Sequence, residues 1–265
     1  MRIRSTITYV EDRVLIARVG RDVTIDPSPT MNPVSIPAMN TAPRSFKHRR
    51  GRITAGQQAA LSTLWPRYGL DVCADPLDLP AVFGRVAPVI VEIGFGMGES
   101  TLEMAAADPV RDVIAVDVHT PGAGALLREL DATGRRNVRV VVGDGLDVLR
   151  DMLVPDCLDE IRLFFPDPWP KARHHKRRLF CPAFAVLAAS RLRPGGRLHC
   201  ATDWAPYAER MLQIIQREPQ LTNEHAGFAP RPVSRPISRF EQQGLSKGHR
   251  IFDLLAERRA ETTLR

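Results

Sequence analysis

The chain has 265 residues, of which 44% are hydrophobic and 25% are charged, so it is long enough for one large domain of ordinary globular composition. The formal net charge of +7 and the pI near 9.7 favour a polyanionic partner, most simply a nucleic acid. No apolar run approaches the roughly 18 residues of a membrane span and no signal-peptide core is present, so we expect a cytoplasmic protein without a membrane partner.

The first part of the chain shows no regular pattern. Prolines recur through residues 26–43, which is typical of an extended segment without a core of its own. We therefore predict a poorly ordered N-terminal extension over residues 1–43 and a single domain over residues 44–265. Met31 and Met39 are alternative starts of translation.

The predicted domain opens with a basic run, residues 44–52, that contains one aromatic residue. Such a run is either a solvated arm or an arm that neutralises phosphates, and both interpretations stay open. An apolar stripe then predicts a helix over residues 54–65, which Pro66 should stop.

From residue 89 onwards, strands alternate with helices. The predicted strands cover residues 89–93, 113–117, 138–142, 161–165 and 197–202. The predicted helices cover residues 99–107, 126–130, 146–153, 182–192 and 207–217. This order predicts an α/β fold with a doubly wound, mostly parallel sheet of about seven strands. A loop at residues 238–241 and a late strand at residues 248–254 complete the prediction.

Four carboxylates directly follow or end predicted strands. They are Asp117, Asp144, Asp167 and Asp203. Ligands of parallel α/β sheets bind at the carboxyl ends of the strands, so we expect these side chains to meet at one edge of the sheet.

A glycine turn between the first predicted strand and its helix indicates a nucleoside cofactor. The cofactor-binding candidates are Glu92, Gly94, Gly96, Gly98, Asp117 and Asp144. Asp117 is placed to accept hydrogen bonds from ribose hydroxyls. Glu92 would crowd a pyrophosphate with negative charge, whereas S-adenosylmethionine carries an ammonium, a sulfonium and no phosphate. The pattern favours S-adenosylmethionine over NAD, and a NAD dehydrogenase also lacks an obvious hydride-transfer acid near the fourth strand.

A proline-stiffened loop, residues 164–170, follows the fourth predicted strand and carries an acid and an indole ring. Asp167 is the candidate catalytic carboxylate, and the alternative is a turn or capping role. Trp169 has three candidate roles, which are stacking on a base, stacking on the adenosyl group, or packing the loop.

Directly behind this loop, residues 171–178 form a second basic run. Arginine binds phosphate through two parallel hydrogen bonds, so the run is a candidate clamp for a nucleic acid or another polyanion. Its candidate contacts are Lys171, Arg173, His174, Lys176, Arg177 and Arg178. A charged surface loop is the alternative. No acid or cysteine lies at ligand spacing from the histidines, and the four cysteines are far apart, so no metal is expected.

Residues 165–179, Phe-Pro-Asp-Pro-Trp-Pro-Lys-Ala-Arg-His-His-Lys-Arg-Arg-Leu, resemble the signature of bacterial tRNA (guanine-N7-)-methyltransferases. The segments 91–98, 201–207 and 238–241, with Gly248 and His249, strengthen the resemblance, which covers about four-fifths of the chain. Ser-Arg-Phe-Glu at 238–241 replaces the usual Thr-Lys-Phe-Glu, and the first 40 or so residues have no counterpart.

The resemblance implies a Rossmann-like class I methyltransferase that uses S-adenosylmethionine to methylate guanosine N7 in the tRNA variable loop, at position 46 in tRNA numbering. It implies a catalytic Asp167. It implies tRNA contacts at Lys171, Asp203, Ser238, Arg239, Phe240 and Glu241. No obligatory protein partner is expected. The alternatives are methylation of another RNA base or an exocyclic amine, and a non-catalytic tRNA-binding protein on the same fold.

Overall fold

The computed structural model describes residues 52–260. The predicted extension over residues 1–43 and all but the last residue of the basic run 44–52 lie outside the described residues. None of the helices in the described part is long and apolar enough to cross a membrane.

The described chain alternates helices and strands. The helices are α1 (Ala55–Tyr68), α2 (Leu79–Phe83), α3 (Glu99–Ala107), α4 (Thr120–Ala132), α5 (Gly145–Asp151), α6 (Pro182–Arg191), α7 (Ala205–Arg217) and α8 (Arg239–Ser246), with a 3-10 helix over Ala172–Arg177. The strands are β1 (Gly69–Leu70), β2 (Val89–Ile93), β3 (Asp112–Asp117), β4 (Val138–Val142), β5 (Leu158–Phe164), β6 (Leu192–Thr202), β7 (Leu221–Asn223) and β8 (Phe252–Arg258).

The strands form one eight-stranded sheet in the order β1-β4-β3-β2-β5-β6-β8-β7. Strands β1 to β6 pair in parallel, whereas β8 is antiparallel to both β6 and β7. The predicted mostly parallel α/β sheet is confirmed. The sequence pattern did not indicate β1 and β7, because two or three residues are too few to show an alternation.

Both faces of the sheet are covered, which explains why the central strands β2, β3 and β4 are mostly apolar. Along β2, Val91 and Ile93 belong to one hydrophobic cluster and Ile90 to the other, since successive side chains point to opposite faces. Helices α5, α6 and α7 cover the first face, and α1 and α4 cover the second.

Three predictions about local structure were wrong. Helix α1 continues through Pro66 to Tyr68, because a proline near a helix end removes only one hydrogen bond and Tyr68 is buried in the core. Residues 239–246 form helix α8 rather than a loop, with Ser238 as the N-cap that accepts from the Glu241 amide at 3.1 Å. The late strand therefore begins only at Phe252.

Candidate active site

The carboxyl ends of the parallel strands open into a cavity of about 740 Å³. That volume is in the range of small-molecule and cofactor sites. All four carboxylates that were expected at this edge line the cavity. They are Asp117, Asp144, Asp167 and Asp203. The doubly wound sheet thus brings together residues that lie far apart in the sequence.

The glycine turn forms one wall and is held by Asp117. The backbone amide of Gly96, at a φ of 62°, donates to Asp117 Oδ2 at 2.8 Å, and the amide of His119 donates to Oδ1 at 2.9 Å. Gly94 and Gly98 line the same wall. Asp117 therefore fixes the turn and presents its carboxylate to the cavity.

Helix α4 packs directly on this turn through a glycine that the sequence analysis missed. A Cβ on Gly122 would lie 1.8 Å from the carbonyl oxygen of Gly96, so no other residue fits there without moving the turn. The only signal in the sequence is the small-residue run over 122–125, and it does not reveal what the run packs against.

Glu92 lies at the back of the cavity and is 3% exposed. Burial raises the pKa of its carboxyl to about 7, although the nearby charge of Arg162 acts in the opposite direction. Among the described residues, Glu92 Oε2 is a buried side-chain oxygen without a hydrogen-bond partner. Such an oxygen in an acid-lined pocket fits a cationic ligand, which would satisfy it and favour its ionised form.

Asp144 combines a cavity position with a capping role. Its Oδ1 accepts from the Leu146 amide at 2.9 Å, which caps the N-terminus of α5. The end of this helix orients the carboxylate at the cavity wall, where a ligand can reach it.

The proline-stiffened loop forms a second wall of the cavity, since it follows β5, the strand that pairs with β2. Phe165 adopts a φ of +51°, and its amide donates to the Ala201 carbonyl at 2.7 Å, so the chain turns sharply off the end of β5. Asp167 and its two flanking prolines line the cavity. A catalytic role for Asp167 stays a prediction, and its position facing the glycine turn is compatible with that role.

Trp169 supports this loop from behind. The side chain of Trp169 is buried, and its backbone has a φ of +45°. Trp169 is not among the residues that line the cavity. The Arg177 guanidinium lies 4.8 Å from the centre of its ring, and the His174 ring contacts it edge-on at 5.7 Å. Of the three candidate roles, this arrangement favours packing.

The second basic run divides into two groups. Lys171, Arg173 and Lys176 are exposed beside the cavity, as a phosphate clamp requires. Arg178 does not fit the predicted clamp, because it is 8% exposed, its Nε donates to the Pro168 carbonyl at 2.8 Å, and its guanidinium covers the Tyr207 ring. Arg178 instead holds the proline loop.

The C-terminal segment closes the cavity through a buried ion-pair network, which the sequence analysis missed. Arg235 donates to Glu241 Oε2 at 2.6 Å and to Asp253 Oδ1 at 2.8 Å. His199 contacts the same Asp253 oxygen at 2.9 Å. The guanidinium of Arg235 also lies 5.7 Å from the ring centres of Phe164 and Phe165.

This network corrects the prediction for Glu241. Its carboxylate is 1% exposed and ion-paired to Arg235, so it positions α8 rather than contacting RNA. Ser238, Arg239 and Phe240 do line the cavity, and Phe240 is 53% exposed. No signal in a single sequence pairs Arg235 with an acid 18 residues away.

Asp203 follows β6 and faces the cavity from the side of α8. Its Oδ2 lies 2.9 Å from Nδ1 of His249, which belongs to the segment after α8. Within residues 52–260, no three His, Cys, Asp or Glu side chains are grouped so that they could hold a metal ion.

The comparisons of this chain with known proteins agree with one another. Residues 86–254 match the model of a family described as putative methyltransferase. A tRNA (guanine-N(7)-)-methyltransferase of Streptomyces avermitilis is 57% identical over 81% of this chain and 75% of its own length. The enzyme of the same name from Nitrosospira multiformis is 50% identical over 80% of this chain and 93% of its own length.

Among solved structures, the 16S rRNA methyltransferase KamB matches 70% of this chain and 95% of its own, with a TM-score of 0.52 and 14% sequence identity. At this identity the likeness concerns the fold, which is that of a Rossmann-like methyltransferase.

Proposed function

Since the chain belongs to the tRNA (guanine-N(7)-)-methyltransferase family, we propose that it methylates guanosine N7 in tRNA at position 46 of the variable loop, with S-adenosylmethionine as the methyl donor. One observation carries the proposal. A single cavity joins the acid-lined glycine turn to the Asp167 loop, so a cofactor and a base can meet in it.

The residues of the cofactor wall fit S-adenosylmethionine. The unpartnered oxygen of Glu92 suits a cationic group. Asp117 and Asp144 line the same cavity, and we propose that they contact the ribose hydroxyls and the adenine, respectively. When bound, S-adenosylmethionine would supply a methyl group on its cationic sulfur, and S-adenosylhomocysteine would be the leaving group. The buried carboxyl of Glu92, two residues before the glycine turn, would oppose the negative charge of a pyrophosphate.

The protein's task at the base is to orient it and to exclude water, because N7 attacks without first losing a proton. The attack places positive charge on the purine. Asp167 accepts hydrogen bonds from guanine N1–H or the exocyclic amine, which orients the base and stabilises that charge. Asp203 shares this role from the other side of the cavity.

The RNA is held by charges around the cavity mouth. Lys171, Arg173 and Lys176 neutralise phosphates beside the proline loop. Arg239 projects from the first turn of α8 with 85% of its side chain exposed and reaches Glu99 across the mouth. These cations give the enzyme its affinity for tRNA, and the cytoplasm, where tRNA is abundant, is its proposed compartment.

Methyl transfer to unmodified tRNA transcripts, followed by aniline cleavage, tests the proposal. After borohydride reduction of the modified base, aniline cuts the chain at N7-methylguanosine, so we expect one new cut in the variable loop. A matched transcript with adenosine at that position should give no cut. A cut elsewhere in the wild-type transcript would refute the proposed position, and uncut RNA that carries the methyl group would refute N7 as its target.

A further inference from the structure

One hydrogen-bonded contact at the cavity, between Asp203 and His249, is not explained by the roles proposed so far for the cavity residues. Asp203 Oδ2 and His249 Nδ1 are 2.9 Å apart, with 16% and 45% of their side chains exposed. The acid follows a core strand and lines the cavity, whereas the histidine belongs to the segment after α8. The contact therefore connects the base-binding acid to the C-terminal part of the cavity wall.

The backbone fixes the position of His249. Helix α8 ends in a Schellman motif, in which the His249 amide donates to the Gly244 carbonyl at 3.0 Å and the Gly248 amide donates to the Leu245 carbonyl at 2.9 Å. Gly248 supplies the required left-handed conformation at a φ of 79°. A Cβ on Gly244 would lie 3.6 Å from Asp203 Oδ2, so the helix end packs closely on the pair.

We propose that His249 is a positioning residue that orients the Asp203 carboxylate toward the target guanine, an inference that rests on the proposed function. A hydrogen bond to one oxygen of a carboxylate fixes the plane of both oxygens. An acid that must accept from the edge of a planar base needs that plane fixed, because the alignment of N7 with the methyl group depends on how the base lies.

The contact is not needed to hold α8 in place. The N-terminal end of the helix is anchored by the Arg235–Glu241 pair, and its C-terminal end by the Schellman motif. A half-exposed histidine–carboxylate pair adds little to stability. Loss of the imidazole therefore affects the orientation of Asp203 more than the fold.

Two substitutions of His249 distinguish an effect on the orientation of Asp203 from an effect of having any polar side chain at this position. His249→Asn places an amide nitrogen as many bonds from Cβ as Nδ1 is, whereas His249→Gln places it one bond further. We expect kcat for methyl transfer to fall about tenfold in His249→Gln and to stay within about threefold in His249→Asn. The Kd values for S-adenosylmethionine and tRNA should change less than about twofold, because phosphate contacts dominate RNA affinity. His225→Phe, in the loop after β7, is the control and should behave as wild type.

Equal kcat values for the Asn and Gln variants would overturn the proposal. A second measurement needs no activity, since the ¹⁵N shift of the His249 ring should change on Asp203→Ala while that of His225 should not. An unchanged His249 shift would also overturn it. Failure of the proposed function is distinguishable, because a wild-type enzyme that methylates another atom refutes that function and still allows the Asn and Gln rates to be compared.

Discussion

Among single residues, Glu92 has the least usual electrostatic environment in the site. Its folded pKa is about 7 rather than the ordinary 4.5, so the folded, ligand-free protein holds a proton that the unfolded chain releases. Stability is then lost as pH rises through this interval, and the total loss is about 3 kcal/mol. A cationic ligand reverses the effect by favouring the carboxylate.

The substitution Glu92→Gln tests this environment. Glutamine does not titrate, so the variant should gain about 3 kcal/mol of unfolding free energy relative to wild type between about pH 4.5 and about pH 7. It should also bind S-adenosylmethionine more weakly. Denaturant titrations at both ends of the interval measure the gain, and a difference between the two proteins that does not vary with pH would contradict the account.

Asp167 carries the proposed chemistry at the base. Replacement by Asn keeps the size of the side chain and removes its charge, so kcat should fall roughly a hundredfold while the Kd for S-adenosylmethionine stays unchanged. Single-turnover methyl transfer measures the first quantity and calorimetry the second. Near-wild-type turnover with unchanged tRNA affinity would exclude Asp167 from this role.

Gly122 matters because of what it touches. The substitution Gly122→Ala should push the glycine turn away from α4 and lower affinity for S-adenosylmethionine at least tenfold, since the added Cβ would overlap the Gly96 carbonyl. Gly227→Ala is the matched control, because a Cβ there meets nothing within 4 Å and its φ is not left-handed. Calorimetry measures the affinity of both variants for S-adenosylmethionine. Equal affinities would show that Gly122 does not hold the glycine turn in position.

At the level of elements, α8 depends on the buried ion pairs beneath it. Burial alone would raise the pKa of Asp253, but hydrogen bonds from His199 and Arg235 lower it overall. Arg235 lies between two buried carboxylates, so its removal leaves both without their main partner.

The substitution Arg235→Met should therefore cost about 3 to 5 kcal/mol of unfolding free energy. Arg150→Met removes a comparable pair of contacts, to Asp147 and Asp151, from an exposed site and should cost less than about 1 kcal/mol. Chemical denaturation of both variants tests the difference, which should vanish if the Arg235 network is not formed in solution.

Some of the helices and strands could be predicted from the sequence alone and others could not. Strands β2, β3 and β4 were predictable because each is a mostly apolar run that ends in an acid or is followed by a glycine. The acids near the carboxyl ends of the strands do meet at one edge of the sheet. Helix α8 was not predictable, because its polar sequence has no apolar stripe and its stability comes from Ser238 and the Arg235 network. The sequence analysis missed Gly122 and Arg235 and assigned no role to His249, because each of these residues acts through a contact with a distant part of the chain.

For the whole molecule, the distribution of charge matters more than its total. The exposed cations at the cavity mouth lie at the carboxyl edge of the sheet, so the positive charge that we propose to bind tRNA is next to the proposed chemistry. The opposite, amino edge of the sheet carries three other exposed cations, Arg136, Arg217 and Arg259. They serve as a control set for Lys171, Arg173 and Lys176.

Replacing Lys171, Arg173 and Lys176 with alanine should weaken tRNA binding and reduce the slope of log K against log salt by about 2 to 3, since each lost phosphate contact removes about 0.7 to 0.9 from it. Alanine at Arg136, Arg217 and Arg259 should leave the slope nearly unchanged. Filter binding over a series of salt concentrations measures both, and equal slopes for the two triple variants would contradict a localised clamp.

The central claim is that this cavity presents guanine N7, rather than an exocyclic amine, to the methyl donor. Mass spectrometry of nucleosides from tRNA methylated by the wild-type enzyme tests it most directly. N7-methylguanosine should be the only new nucleoside. Methyl groups on the exocyclic amine of guanosine or adenosine would contradict it.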